Sequence, residues 1–453
     1  MAARRQGLDE REVTAGAGGE SAPAAVGCLV NVCVPFVTGR CDYLGRPVAS
    51  DVRPADKHAY LDALSSEVRA AGAQVAARGM RVDAVSLGVG AVGTVEPDRM
   101  HELGKAMRSS LPLASAPDVS AEVDPGLLST ALLDELRQLG LTTLRVRYLT
   151  SDEGELARMG RPSTELEMGK TRIVLDAAGF HHLDMQVIVG MRDQTPASLE
   201  RTLRDALLVD GVFHVTLVPA SGPFASPDEG RLARDRALAV DLLSAHGFVP
   251  YAPRCLARAG RAGVGAPRAA GAGRGTSAAP EACGVDDLAR IPEEDRRYAS
   301  DGVVGLGSAS ISCFDGLMWQ NVSDPAGYAA AARDPRAMTA QALVVDDRLV
   351  AARRLLDALY HLRPVPAGSI DEVARSLRGT LVGSHSGARD DAGDGGDGRP
   401  AGVSSGLLED GMLEERPDAP SPSGSPLGTP LVGLSNAGAA RYERVFARIL
   451  GGA

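Results

Sequence analysis

From about residue 27, short apolar runs alternate with longer segments whose apolar residues recur every three or four positions. The runs lie at 28–34, 84–89, 119–123, 143–148, 185–189 and 213–218. Between them stand amphipathic stretches at 56–78, 97–110, 127–139, 163–178, 196–209 and 228–246. Leu128, Leu132, Leu136 and Leu139 illustrate the helical spacing. Gly140, Gly179 and Gly247 each follow a helix end, where glycine accepts the left-handed conformation that stops a helix. Alternation of this kind predicts βα units around a parallel sheet. Six units suggest a curved sheet or partial barrel over 27–253.

The texture changes after Tyr251. Residues 257–284 hold Arg258, Arg261, Arg268 and Arg274, almost nothing to bury, and no acid before Glu281. This reads as a solvated low-complexity insertion within a linker at 254–300. Val303 to Gly307 then reads as a strand entering a glycine turn, opening a barrel-closing α+β segment at 301–340. The remainder, 341–453, is expected to carry helices at 346–361, 370–377 and 436–450. A Gly/Asp-rich tract at 384–399 and a Pro/Ser-rich tract at 416–430 interrupt it as loop expansions. Residues 1–26 are polar and Gly/Ala-rich and are expected to be disordered.

Composition narrows the classes. A chain of 453 residues with 44% hydrophobic and 23% charged residues is neither wholly disordered nor collagen-like. Six cysteines, at 28, 33, 41, 255, 283 and 313, are too few for a disulfide scaffold of this length. No apolar segment of signal-peptide or membrane-spanning length is present, so the expected location is cytoplasmic. A net charge of -10 offers no general attraction to nucleic acid. Over 403–453 six acids oppose four arginines, which argues against phosphate binding by the C-terminal unit.

The most informative stretch follows the first apolar run and reads Val34-Pro35-Phe36-Val37-Thr38-Gly39-Arg40-Cys41-Asp42-Tyr43-Leu44. It resembles the first βα loop of radical S-adenosylmethionine proteins. In particular it is similar to the oxygen-independent coproporphyrinogen III oxidase and heme chaperone family, where the loop reads Pro-Phe-Cys-x-x-x-Cys-x-Tyr-Cys. Further segments match in order. Gly88 to Gly93 stands at the family's glycine-rich run, Glu122 to Gly126 at its Glu-x-Asn-Pro-Gly, and Leu156 to Pro162 at its Leu-Gly-Arg. Gly190 to Thr195 resembles Gly-Leu-Pro-Gly-Gln-Thr, and Trp319, Asn321, Asp324 and Pro325 resemble Trp-x-Asn-x-x-Asp-Pro.

The resemblance implies an α/β fold, a partial (βα)6 radical-SAM-type barrel with a C-terminal helical winged-helix-like domain. It also implies family positions. Gly88, Gly90, Glu122 and Arg161 match S-adenosylmethionine contacts, and Cys41 matches one cluster ligand, while Val37 and Leu44 replace the other two. Leu149 stands where the family has a glutamine and Gln186 where it has an aspartate. A heme-associated His-Asn-x-x-Tyr-Trp stretch is represented by Glu293 to Tyr298, without the histidine.

A site-differentiated 4Fe-4S cluster needs three thiolates, and the motif retains one. Cys28 and Cys33 do not rescue it, since strand periodicity points them to opposite faces. The expectation is a divergent, non-catalytic relative tied to heme metabolism. S-adenosylmethionine or heme is its implied small-molecule ligand, no 4Fe-4S cluster is expected, and no catalytic residue is assigned. The alternatives are an active radical S-adenosylmethionine enzyme of porphyrin biosynthesis and a regulatory or scaffolding protein.

Overall fold

The computed structural model describes residues 27–38, 48–90, 92–161, 164–228, 230–258, 302–314, 316–332, 337–381, 403–410, 412–415, 431–435, 439 and 444–446. Cys41, Leu44, the N-terminal segment, most of the arginine-rich insertion, both C-terminal tracts and most of the expected last helix lie outside the described residues.

The six apolar runs form strands β1 (Gly27–Val34), β4 (Arg81–Val89), β5 (Leu113–Val123), β6 (Leu141–Leu149), β7 (Leu183–Val189) and β8 (Val212–Pro219), all parallel along the sheet. A short parallel pair, β2 (Phe36–Val37) and β3 (Ala49–Ser50), follows β1. The intervening helices are α1 (Pro54–Ala77), α2 (Pro97–Ser110), α3 (Thr130–Gln138), α4 (Glu153–Arg158), α5 (Thr164–Ala178), α6 (Pro196–Leu207) and α7 (Arg231–Ala245). Gly140, Gly179 and Gly247 take φ of 95°, 61° and 82°, as their place after helix ends predicts.

Beyond β8 the sheet continues antiparallel through β9 (Phe248–Ala252) and β10 (Cys255–Arg258). Strand β10 therefore extends two residues into the segment read as an insertion. On the other side β11 (Val303–Leu306) pairs parallel with β1, and β12 (Ile311–Phe314), β13 (Leu317–Asn321) and β14 (Thr339–Val344) add antiparallel. The resulting order is β14-β13-β12-β11-β1-β4-β5-β6-β7-β8-β10-β9, with two ends. A sheet with two ends is an open, partial barrel rather than a closed one. Helix α8 (Pro325–Ala331) begins at Asp324, whose side chain accepts the Gly327 N–H, with Pro325 pre-set at the first helical position.

The outer face of the sheet packs on the helices in one core that includes Val30, Val32, Leu87, Val123, Val146 and Val187. A second core gathers the C-terminal helices α9 (Asp347–Tyr360), α10 (Ala367–Leu381) and α11 (Val403–Glu409) with a small sheet of β15 (Val365–Pro366), β16 (Leu413–Glu415) and β17 (Leu431–Leu434). Three helices and a small antiparallel sheet are the parts of a winged-helix-like unit. Tyr251, Ala252, Cys255 and Ala257 join this second core, whereas Leu256 joins the first. The β9–β10 hairpin thus has one face on each core. No helix among the described residues is long and apolar enough to cross a membrane.

Candidate functional site

Side chains alternate between the faces of a strand. Leu144, Val146 and Tyr148 of β6 lie in the outer core, which turns Thr143, Arg145, Arg147 and Leu149 to the interior. The same alternation brings Glu122 of β5, Asp184, Gln186 and Ile188 of β7, and His214 and Thr216 of β8 to that face. Cys28 of β1 packs with Val30, Val32 and Val34 in the outer core and Cys33 does not, as their spacing predicts.

The interior is layered. At its base Leu29, Ala84 and Val303 form a small apolar plug. Above it Thr216 donates to both Asp184 carboxylate oxygens at 3.0 and 2.9 Å, and Arg145 Nε stands 3.9 Å from Asp184. His214 is buried beside them, and neither ring nitrogen has a hydrogen-bond partner among the described residues. Burial pushes this imidazole down to about 3, with the nearby His182 and Arg145 adding to the shift. It is a neutral ring at neutral pH.

The next layer is an ion network. Arg147, 0% exposed, places Nε 2.9 Å from Asp124 Oδ1 and donates from Nη2 to Oδ2 at 3.1 Å. Arg161 Nη2 also donates to Asp124 Oδ1, at 2.9 Å. Glu122 approaches Arg147 Nε at 3.4 Å and accepts from Gln186 Nε2 at 3.4 Å. Asp124 therefore bridges two guanidinium groups. Glu122 and Arg161, expected as ligand contacts, are joined in one network through Arg147 and Asp124.

At the C-terminal strand ends, where α/β sheets bind their ligands, the lining becomes apolar. Val37 is 5% exposed and clusters with Leu149, Leu156, Met159, Ile188 and Met191. Its isopropyl group supplies no metal donor. Leu149, at the end of β6, is wholly buried at φ 64°. Gly90 serves the backbone here: a Cβ on it would lie 2.2 Å from Val34 O and 2.5 Å from Phe36 O, so the chain crossing over β1 requires glycine independently of any ligand. Gly88 is buried on β4 opposite Cys33. Among the described residues no group of three or more His, Cys, Asp or Glu could hold a metal ion.

Sequence reasoning singled out Glu122 and Arg161 but missed Asp124, Arg145, Arg147, Asp184 and His214. A signal existed. Arginines at 145 and 147 alternate with apolar residues in a strand otherwise buried on both faces. That spacing marks a polar interior face.

The charged interior, the apolar cap and the open sheet define what the chain can be compared with. No protein-family model matches it. Oxygen-independent coproporphyrinogen III oxidase of Cereibacter sphaeroides is 27% identical over 360 residues, covering 75% of this chain and 74% of that protein. Heme chaperone HemW of Escherichia coli is 22% identical over 192 residues, covering 41% of this chain and 51% of that protein. Among solved structures, coproporphyrinogen III oxidase HemN from Escherichia coli, described as a radical SAM enzyme, superposes with a TM-score of 0.66 at 15% identity. The match covers 94% of this chain and 91% of that one, which establishes the fold. By sequence the chain is similar to the oxygen-independent coproporphyrinogen III oxidases and the heme chaperone, and by structure it shares the fold of HemN.

Proposed function

We propose that this protein is a non-catalytic member of that lineage, tied to heme metabolism by binding rather than by radical chemistry. One observation carries the reading: Val37, at the first cluster-ligand position, is buried among Leu149, Met159, Ile188 and Met191. A 4Fe-4S cluster with one open iron needs three thiolates, and positions 37, 41 and 44 offer valine, cysteine and leucine. The residues present do not fit the cluster. S-adenosylmethionine remains a candidate ligand through Gly88, Gly90, Glu122 and Arg161, but Glu122 and Arg161 must first exchange their internal partners. A tetrapyrrole is the second candidate, since its propionates would find Arg161 and Arg147 as cations. Cys28, Cys33, Cys255 and Cys313 are buried thiols, which supports a reducing, cytoplasmic setting.

Anaerobic reconstitution with iron and sulfide tests the central point. The expected product is colourless and holds well under one iron per chain; a brown protein with about four irons per chain would mean the cluster reading is wrong. Titration with hemin and with S-adenosylmethionine is expected to show saturable binding of at least one. Failure of both removes the ligand part of the proposal. Val37→Cys with Leu44→Cys is expected to recover cluster absorbance without releasing deoxyadenosine, because Leu149 and Gln186 still differ from the family. Release of deoxyadenosine would show that only the thiolates had been missing.

A further inference from the structure

Away from the barrel interior, between α1 and strands β11–β14 on the outer face of the sheet, lies a cavity of about 420 Å³. That is within the ~300–1,000 Å³ of small-molecule sites. The helix contributes small residues, Ala63 and Ala70 among them, while the strands contribute Phe314 and Trp319. Small residues facing large ones at this distance leave a space that neither element fills.

Among the described residues one charged group lines this largely apolar space. Glu67 Oε2 accepts the Gly307 N–H at 2.7 Å and the Tyr328 hydroxyl at 2.5 Å, and Oε1 accepts from Asn321 Nδ2 at 2.7 Å. All three donors are neutral. Burial pushes the Glu67 carboxyl up, and the bonds from Tyr328, Gly307 and Asn321 pull it back. Glu67 is half-buried, and carboxylates withdrawn from water are ordinarily paired with a cation or coordinated to a metal. Among the described residues these neutral partners hold the charge in place and no cation compensates it, in a cavity that Trp319 also lines. Oε1, with one donor, retains capacity for another.

We propose that this cavity binds a small organic ammonium, its charge facing Glu67 and its apolar part lying against Trp319 and the alanines of α1. The cation compensates the half-buried carboxylate, and the apolar part leaves water for the indole and the alanines. The site is separate from the barrel, so it stands whether or not a cluster or tetrapyrrole binds there.

Trp319 is the one tryptophan of the chain, so tryptophan-selective fluorescence reads this cavity directly. The full-length protein is titrated with three matched probes: phenethylammonium, 2-phenylethanol and phenylacetate. Phenethylammonium is expected to give a saturable change, about tenfold or more tighter than the alcohol, and phenylacetate none. Glu67→Gln is expected to bring the amine to within about threefold of the alcohol. Exposed Ala70→Phe, which fills the mouth without touching the Glu67 bonds, is expected to abolish binding of both. Equal affinity of wild-type protein for amine and alcohol overturns the proposal, as does the absence of saturation by any probe. Should Glu67→Gln fail to fold, Ala70→Phe decides: undiminished amine binding in that variant also overturns it.

Discussion

Leu149 combines two opposed costs at one residue. Its φ of 64° is the left-handed region, unfavourable for a side chain with a Cβ by roughly 1–2 kcal/mol. Its complete burial contributes about 1.5–3 kcal/mol. Burial wins by a narrow margin. Leu149→Ala loses the burial and keeps the backbone cost, whereas Leu149→Gly loses slightly more burial and relieves the backbone. The glycine variant is therefore expected to be about 1 kcal/mol more stable than the alanine variant, measured as the difference in urea midpoints. The opposite order would mean that no backbone strain is held there. Asp124 makes a different case. Asp124→Asn strips the carboxylate from between Arg147 and Arg161, removing the charge that bridges these two guanidinium groups. A loss of about 3–5 kcal/mol is expected by the same measurement. A loss below ~1 kcal/mol would show that water reaches this layer.

Among elements, the segments that resemble family motifs have structural work of their own in this chain. Thr195 caps α6 by accepting the Ser198 N–H at 3.0 Å, and Ser198 Oγ accepts the Thr195 N–H at 3.0 Å, a reciprocal capping box. Ser198 Oγ and Thr150 Oγ1 each donate to buried Glu155 at 2.6 Å, tying α6 to α4 and to the end of β6. Thr195→Ala is expected to cost about 1–2 kcal/mol, measured in thermal or urea unfolding. Asn321 joins β13 to α1 through Glu67, and Asp324 caps α8. The six parallel strands and their helices were legible because each apolar run is short, dense and followed by a helical period. Strands β9, β10 and β12–β14 were not. A strand such as β13, Leu-Met-Trp-Gln-Asn, has neither a continuous apolar run nor a clean alternation, and its partners decide its conformation.

For the whole molecule, two histidines impose opposite pH dependences. His214 is pushed down to about 3 by burial, His182 and Arg145. Its unfolded value is about 6.5, so the unfolded chain takes up the proton first as pH falls. The contribution of neutral His214 is complete above about 6.5 and is lost toward 3, by up to ~1.4 kcal/mol per pH unit. His361 in the second core runs the other way. Burial lowers it, but the Asp357 hydrogen bonds outweigh burial and leave it raised. Its contribution is full below the unfolded value and is lost as pH rises through the folded one. His214→Leu is expected to be about 2 kcal/mol more stable than wild type at pH 5 relative to their difference at pH 8, from urea unfolding of the barrel at both. Parallel pH profiles for the two proteins would show that His214 does not carry the acid sensitivity.

Local periodicity, read along the chain, determined the order of strands and helices and the glycine stops, and the sequence itself places valine and leucine at 37 and 44. These depend on residues within one turn, one pleat or one loop of each other. Only the tertiary structure decided that Asp124 and Arg147 join Glu122 to Arg161 and that Val37 meets Leu149 and Met191. It alone set Glu67 and Trp319 in the lining of one cavity. Such contacts join residues tens to hundreds of positions apart, and what brings them together is strand pairing and curvature of the sheet with burial of its two faces, which no local pattern encodes.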